Sequence, residues 1–243
     1  MTFESWHAFY YAPWQSPWAL LVVPFAWGIF RVVVRDRPAS PGVARFVRVW
    51  AALFLIETML DPVANALVAD AASFASTAVG LTFVLLGDFR IYWLVFALAE
   101  GASTLAAGAG RAALATLVVP IAAYAVNAVL GVAMGEVPGQ VLWLVHESLF
   151  VAVCFFLAWR WVPANVAETW QPFARRVLGY VAAYYALWAA ADVLILAGID
   201  AGWLVRCVPN QLYYAFTVPF VELVFWLRPA SSAAARTSVH AAR

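Results

Sequence analysis

The stretch LIETMLDPVAN, residues 55–65, lies in the middle of a long apolar run. Such a run can cross a lipid bilayer, which takes roughly 20 apolar residues of helix. Glu57, Asp61 and Asn65 recur at every fourth position, so a helix presents them on one face. Pro62 lacks a backbone N–H, which predicts a break in the helix beside them. Because ionisable groups within a membrane are costly, this face predicts a functional site.

The composition of the whole chain is that of a membrane protein. Of its 243 residues, 66% are hydrophobic and only 11% are charged, whereas soluble domains average about 25% charged residues. The length leaves room for about seven spans, so we expect an all-α integral membrane protein with one seven-transmembrane-helix domain over residues 1–228. Within it, the aromatic residues 1–15 predict an interfacial segment. The polar, basic residues 229–243 predict a disordered cytoplasmic tail.

The arginines are distributed unevenly between the predicted loops. The predicted spans cover about residues 18–34, 50–68, 77–99, 112–133, 141–162, 177–197 and 204–227. Loops and span ends after the first, third and fifth spans, together with the tail, hold twelve of the fourteen basic residues. By the positive-inside rule, the N-terminus is expected outside and the C-terminus in the cytoplasm. The expected location is a bacterial-type inner or plasma membrane.

Several kinds of chemistry are excluded or disfavoured by the residue types. The chain has no lysine, which excludes a retinal Schiff base and a phosphate-loop lysine. Cys154 and Cys207 lie in separate predicted spans, so redox chemistry and a thiolate metal site are not expected. No cofactor is predicted, although a divalent-metal site of carboxylates with one histidine stays open.

The partners that the sequence indicates are apolar. A net charge of +1 gives no indication of nucleic acid. We expect the lipid bilayer and a hydrophobic small molecule as partners, and the oligomeric state is left open.

Buried polar residues from six predicted spans fall at similar depths. Glu57, Asp88 and Arg90 lie near the middle of the membrane, and Asp61 lies just above them. The outer third to half of the membrane is predicted to hold Asn65, Asn127, His146, Glu147, Asp192, Asn210 and Gln211. Independent spans need not agree in this way. The pattern therefore predicts a polar cavity in the outer half of the bilayer.

Two spacings constrain how these residues pair. Asp88 and Arg90 are two positions apart, about 200° around a helix, so each needs a partner on another span. Glu57 or Asp61 is the expected partner of Arg90, which is also compatible with a purely structural ion pair. His146 and Glu147 are adjacent, so at most one points straight into the cavity, and a structural hydrogen bond from His146 is an alternative.

The sixth span carries an aromatic stripe. Tyr180, Tyr184, Trp188 and Asp192 follow at a spacing of four, which indicates either an aromatic wall leading to an acid or ordinary ring packing. Buried acids outnumber buried bases, since Arg90 and Arg206 face Glu57, Asp61, Asp88, Glu147, Asp192 and Glu222. Desolvation favours the uncharged carboxyl, so some of these acids are expected to be protonated.

These features favour an intramembrane enzyme with carboxylate acid–base chemistry on a lipid or isoprenoid, such as a cyclase or isomerase. The expected catalytic residues are Glu57, Asp61, Asp88 and Asp192. The expected substrate-binding residues are Asn65, Arg90, Asn127, His146, Glu147, Tyr184, Trp188, Asn210 and Gln211.

In size, span number and an acid in the second span, the chain is similar to the small membrane-bound terpene cyclases. The similarity is one of architecture, carried by Glu57 with Asp192 or Glu222, and no local motif is shared. It implies protonation of an alkene or epoxide by a buried acid.

Two other functions use the same residues. A proton- or cation-coupled transporter or channel would use the acids as a relay and would need a second path through Glu222. A non-catalytic ligand-binding membrane protein would need only the cavity. Glu222 is equally compatible with an interfacial residue near Arg228.

Overall fold

The computed structural model describes residues 5–12, 20–33, 42–68 and 73–227, apart from the side chains of residues 66 and 73–77. The predicted cytoplasmic tail, residues 229–243, lies outside the described residues. The described chain is helical, with no strand. Its helices are α1 Trp6–Tyr10, α2 Val22–Val33, α3 Val43–Leu67, α4 Ser73–Ala99, α5 Ala109–Thr116, α6 Val118–Met134, α7 Gly139–Phe156, π1 Leu157–Trp161, α8 Val162–Asn165, α9 Gln171–Leu196, α10 Ala201–Asn210, π2 Gln211–Phe216 and α11 Thr217–Trp226.

Four helical stretches are long and apolar enough to cross a membrane. They are Ala78–Ala99, Ala109–Met134, Gly139–Asn165 and Gln171–Leu196, and they coincide with the third to sixth predicted spans. A shorter apolar helix is α2. The helix α3 has 25 residues but carries arginines and carboxylates along its length. The protein is therefore a multi-pass, membrane-embedded helical bundle.

Large apolar side chains cover much of the outside of this bundle. On α6, Val132 is 91% exposed and Val129 is 68% exposed. In the most apolar 18 residues of the stretch Ala109–Met134, only 17% are buried inside the protein. A water-soluble protein does not present so continuous an apolar surface, whereas lipid tails accommodate it.

Pro62 does not break its helix, contrary to the sequence-based expectation. The helix α3 runs through it without interruption. A proline removes one backbone hydrogen bond, and the packing of α3 against α4 and α11 holds the helix on either side. Glu57, Asp61 and Asn65 therefore stay on one helix face.

The last helical stretch does change its geometry. The residues Gln211–Phe216 form a π-helical segment between α10, which contains Pro209, and α11, which has Pro219 in its first turn. Each of the two prolines removes one backbone N–H from the continuous helical stretch, and the change to π geometry lies between them. The wider π segment is a common feature of functional sites in helices, and here it brings two tyrosines to the cavity described below.

The turn between α4 and α5 is held by one exposed carboxylate. Glu100 accepts hydrogen bonds from the backbone N–H of Gly108 at 2.6 Å and from Arg111 Nε at 3.2 Å. Hydrogen bonds from Arg111 and from the Gly108 backbone hold the pKa of Glu100 below its usual value. Gly108 has a φ of 71°, and a side chain there would meet the backbone of Ala97 and Phe96 at 2.6 Å.

Candidate functional site

A cavity of about 620 Å³ lies among α1, α3, α4, α6, α7, α9 and α10. A volume of this order suits a drug-sized ligand. Polar and charged side chains in its lining are Asp61, Asn65, His146, Glu147, Arg206 and Asn210. Aromatic side chains in its lining are Tyr10, Tyr11, Phe83, Tyr124, Trp143, Tyr185, Trp188, Tyr213 and Tyr214.

The order of the helices explains why these residues meet. The lining residues lie in the C-terminal halves of α3 and α9 and in the N-terminal halves of α4 and α7. In a bundle whose successive helices run in opposite directions, those halves lie at the same end. The sequence-based expectation of polar residues at one common depth leads to the same end.

On α3, Asp61 and Asn65 form a local pair. The Asn65 side-chain amide donates to Asp61 Oδ1 at 2.5 Å and to the Asp61 backbone carbonyl at 3.0 Å. The Tyr214 side chain interacts with the same carboxylate. These contacts come from neutral groups, so they orient the Asp61 carboxylate without neutralising it.

On α7, His146 reaches the cavity and contacts Asp88 of α4 behind it. The His146 Nε2 and Asp88 Oδ2 atoms are 3.3 Å apart. The Tyr185 hydroxyl donates to the other oxygen, Asp88 Oδ1. Asp88 is fully buried, so it acts on the cavity through His146 and Tyr185, both of which line it.

Arg206 of α10 pairs with two carboxylates. Its Nη1 atom contacts Asp192 Oδ1, and its Nη2 atom lies 3.9 Å from Glu147 Oε1. Asp192 is fully buried behind the lining, whereas Arg206 and Glu147 line the cavity. One guanidinium thus serves two acids, one of which faces the ligand space.

Arg90 forms a second, closed cluster outside the cavity lining. Its Nη1 atom lies 3.7 Å from Glu57 Oε2, and its Nη2 atom donates to the Tyr213 backbone carbonyl at 3.3 Å. The guanidinium also lies 4.3 Å from the Tyr213 ring centroid, a cation–π geometry. The pairing of Arg90 with Glu57 confirms one of the two partners expected from the sequence.

The short helix α1 covers part of the cavity. Its first backbone N–H groups, of Trp6 and His7, donate to the Asp200 carboxylate at 2.6 and 3.2 Å. Asn210 donates to the Tyr10 hydroxyl at 3.0 Å and accepts from Trp188 Nε1 at 2.9 Å. The aromatic N-terminal segment is thus attached to the bundle by its own hydrogen bonds.

The expected site residues fall into two groups. The cavity is lined by Asp61, Asn65, His146, Glu147, Trp188 and Asn210. Lying outside the lining are Glu57, Asp88, Arg90, Asn127, Tyr184, Asp192 and Gln211. Of these, Glu57, Asp88, Arg90 and Asp192 each contact another charged group or a histidine of the clusters above. Tyr184 packs its ring against those of Tyr185, Trp188 and Tyr213, with centroids 4.9, 5.5 and 5.7 Å apart. Asn127 and Gln211 have no described contact that connects them to the lining.

Buried polar atoms without a hydrogen-bond partner concentrate around this site. Among the described residues they are Asp88 Oδ2, Arg90 Nε and Nη1, Asn127 Oδ1, His146 Nε2, Glu147 Oε2, Tyr184 Oη and Asp192 Oδ2. Three of these atoms still lie close to a partner that can carry the opposite charge, since Asp88 Oδ2 is 3.3 Å from His146 Nε2 and Arg90 Nη1 is 3.7 Å from Glu57 Oε2. The unpaired oxygens of Glu147 and Asp192 leave the Arg206 cluster incompletely satisfied, which is costly in a purely structural region.

Several lining residues were not predicted from the sequence as site residues. Tyr185 lies one position from the predicted stripe, and a spacing of three to Trp188 could have indicated that it shares a face with it. Arg206 was noted only as a buried base. Tyr213 and Tyr214 lie in the π segment, whose change of helical phase has no clear sequence signal.

Glu222 lies apart from the cavity. It is buried, pairs with Arg31 Nε at 3.0 Å and accepts from Trp27 Nε1 at 2.6 Å. It is thus tied to α2 by a charged and a neutral donor. The alternative partner considered from the sequence, Arg228, lies outside the described residues.

No metal cluster is formed within the described ranges, since no three His, Cys, Asp or Glu side chains there converge as ligands. Cys154 and Cys207 are both buried and unpaired with each other. Comparisons with protein families, with curated proteins and with solved structures found no match for this chain, so its function is argued from the site.

Proposed function

We propose that this protein is a membrane enzyme of seven spans that applies carboxylate acid–base chemistry to a lipid or isoprenoid substrate. The observation that carries the proposal is the cavity itself, where Asp61 and Glu147 from two different helices face one ring-lined space of about 620 Å³. Such a space can take an apolar molecule, and the carboxyls are the groups able to move a proton at it.

The roles of the four expected catalytic acids differ in this proposal. Asp61 lines the cavity and is the catalytic carboxyl. Asp88 is a positioning residue, because it holds His146 and Tyr185. Asp192 positions Arg206, and Glu57 positions Arg90. Glu147 joins Asp61 as the second carboxyl at the cavity.

The proposed step is an isomerisation or cyclisation. One carboxyl transfers a proton to an alkene carbon or an epoxide oxygen, which leaves a carbon cation. In a cyclisation, an internal alkene then forms a new bond to the cationic carbon; in an isomerisation, no new carbon–carbon bond forms. In both cases the second carboxylate removes a proton. The gain and the loss of a proton balance, so the product is an isomer of the substrate. Aromatic faces stabilise the transient cation.

The proposed membrane orientation follows from the arginines. With the N-terminus outside and the C-terminus in the cytoplasm, the arginine-rich loops lie inside, as the positive-inside rule requires. The cavity then lies in the outer half of the bilayer, where an apolar substrate enters from the lipid. A bacterial inner or plasma membrane is the proposed location.

The test is lipid and isoprenoid profiling of cells that express wild type, Asp61→Asn or Glu136→Gln at matched levels. Glu136 is an exposed acid that does not line the cavity and serves as the matched control. We expect a product with wild type and Glu136→Gln that is lost with Asp61→Asn. Identical profiles from three folded, membrane-inserted proteins would refute the proposal for the lipids of that host.

One observation favours a proton- or cation-coupled transporter as the second candidate. Glu57 lies one turn from Asp61 on α3 and pairs with Arg90, so charged groups continue from the cavity into the bundle. Proton flux into vesicles that hold the purified protein distinguishes the two functions, because an enzyme gives no flux that depends on Glu57.

A further inference from the structure

The charges around the cavity do not balance. Arg90 pairs with Glu57, and Arg206 contacts Asp192 and lies farther from Glu147. Two carboxylates at the cavity, Asp61 and Glu147, then have no cation to themselves. The cavity surface therefore carries an excess of acid over base.

Glu147 carries part of this excess at the cavity wall. It is 3% exposed and lines the cavity. Its Oε1 atom lies 3.9 Å from a guanidinium already occupied by Asp192. Its Oε2 atom is buried and has no hydrogen-bond partner among the described residues. The Glu147 carboxylate is thus incompletely paired at the cavity wall, and a positive charge in the cavity would offset part of the cost of burying it.

The rest of the lining favours a cation without N–H donors. Faces and edges of Tyr185, Trp188, Tyr213 and Tyr214 surround the same space, and neighbouring pairs lie 4.8 to 5.5 Å apart between ring centroids. Aromatic rings together with a carboxylate are the surroundings that bind quaternary ammonium groups. Leucine, valine and phenylalanine side chains at Leu81, Val84 and Phe83 provide an apolar region for a hydrocarbon chain.

We propose that the cavity selects an amphiphile with a positively charged, ammonium-like head on an apolar chain, held by Asp61, Glu147 and the surrounding rings. The inference deepens the proposed function and rests on it, because it names the charge of the molecule at the same site. A cationic head also resembles the carbon cation of the proposed reaction, so binding of the head and stabilisation of the cation use the same side chains.

The test is calorimetric titration of the purified full chain in maltoside micelles with two probes of equal chain length. The probes are hexyltrimethylammonium and hexanesulfonate, each below its own micelle-forming concentration. We expect saturable binding of hexyltrimethylammonium that is at least ten-fold tighter than that of hexanesulfonate. Equal affinity for the two head groups, or no saturable binding of hexyltrimethylammonium, would overturn the inference.

Variants assign the binding to the cavity. Asp61→Asn and Glu147→Gln should each weaken hexyltrimethylammonium at least ten-fold, and the control Glu136→Gln should leave its affinity unchanged. Thermal unfolding of each variant without a probe verifies the fold. If one variant does not fold, the other decides together with the two-probe comparison on wild type. Unchanged affinity in the folded cavity variants would contradict the assignment.

Two further measurements separate sources and hypotheses. Displacement of hexyltrimethylammonium by phosphatidylcholine added to the micelles would identify a membrane lipid as the source of the head group. Retention of the probe would identify a single-chain amine. If profiling shows an Asp61-dependent product while hexyltrimethylammonium does not bind, the proposed function stands and the cationic ligand is wrong. If hexyltrimethylammonium binds while profiling shows no Asp61-dependent product, the cationic ligand stands and the proposed function is wrong.

Discussion

Arg90 and Arg206 are two arginines in one membrane bundle, and the protein uses them differently. Arg90 is fully buried, pairs with Glu57 and lies against the Tyr213 ring, outside the cavity lining. Arg206 has a side chain that is 16% exposed, pairs with Asp192 and Glu147, and lines the cavity. Both side chains are positively charged, and each pairs with a carboxylate from another helix. The two arginines differ in their contact with the cavity. Arg206 lines the cavity, so its cluster is a candidate binding element, whereas the Arg90 cluster lies outside the lining and has a structural role.

The largest expected effect is that of Arg90→Gln. It leaves Glu57 in the bundle interior without its cation, and loss of one partner of a buried pair costs about 3–5 kcal/mol. We expect a clear fall in the thermal unfolding midpoint of the purified protein and poor membrane accumulation. The double variant Arg90→Met with Glu57→Leu should recover part of the loss, since an apolar pair leaves no unpaired charge.

The comparison would fail if Arg90→Gln unfolded at the wild-type temperature and lost only ligand binding. Arg90 would then belong with the cavity rather than with the structural core.

Arg206→Gln should have a smaller effect on stability than Arg90→Gln, and it changes the charge of the cavity. The Arg206 side chain is 16% exposed, and water in the cavity can replace part of its interaction with Glu147, so we expect a loss of about 1.5–3 kcal/mol, the range of hydrogen bonds to charged groups. Binding of hexyltrimethylammonium should not weaken, because removal of a cation leaves the cavity more acidic. Arg206→Lys keeps the charge and should stay close to wild type. Weaker binding in Arg206→Gln, in a folded protein, would place the guanidinium in direct contact with the ligand.

How far the sequence predicts this division depends on which physical rule decides each residue. Helical spacing places Glu57, Asp61 and Asn65 on one face, and the structure keeps them there because a single proline does not end α3. Of the seven spans predicted from hydropathy, four coincide at nearly the same bounds with described helices that are long and apolar enough to cross a membrane. Both rules are local, and both can be applied to one chain without its neighbours.

Whether a side chain lines the cavity or lies behind it cannot be predicted from the spacing within its own helix. Asp192 was predicted to be catalytic, but it lies behind Arg206. Tyr184 was predicted to bind substrate, whereas its neighbour Tyr185 lines the cavity. One position changes the direction of a helical side chain by about 100°, so small rotations of whole helices decide the outcome. Packing between helices sets those rotations, and the residue spacing within one helix carries no information about that packing.

Gly87→Ala tests how tightly the Arg90 side of the bundle is packed. An added methyl group at Gly87 would overlap the Tyr213 hydroxyl, and the next ring atoms follow closely. Overpacking of this kind costs about 1–3 kcal/mol, and it displaces the ring that Arg90 contacts. The matched control is Gly80→Ala on the same helix, where a new methyl group meets nothing within 4 Å.

We expect the unfolding midpoint to fall in Gly87→Ala and to stay within error of wild type in Gly80→Ala. Equal behaviour of the two glycine variants would mean that Tyr213 can move aside, and that the Arg90 cluster is looser than its burial indicates.

The smallest effect is expected at a third arginine, Arg111, whose side chain is 57% exposed and contacts Glu100. Exposed ion pairs contribute little, so this pair is the reference for an arginine in water. Its effect should depend on pH, because the pKa of Glu100 is held below its usual value, first by Arg111 and then by the Gly108 N–H. A lowered pKa stabilises the fold above the unfolded-state pKa of about 4.3 and ceases to do so as the pH falls through the folded-state pKa.

Thermal unfolding of wild type and Glu100→Gln between pH 7 and pH 3 measures this contribution. The variant should be slightly less stable at pH 7, and the difference should shrink as the pH falls toward 3 and the wild-type carboxyl takes up a proton. Glu168→Gln, at another exposed acid, should show no such trend. A difference that stays constant with pH would assign the stabilisation to the neutral hydrogen bond from Gly108 alone, since that bond does not require the charge of Arg111 or of Glu100. The Arg111–Glu100 pair would then not represent an exposed ion pair against which the two other clusters can be compared. Arg90 and Arg206 would have to be compared directly with each other through their own variants.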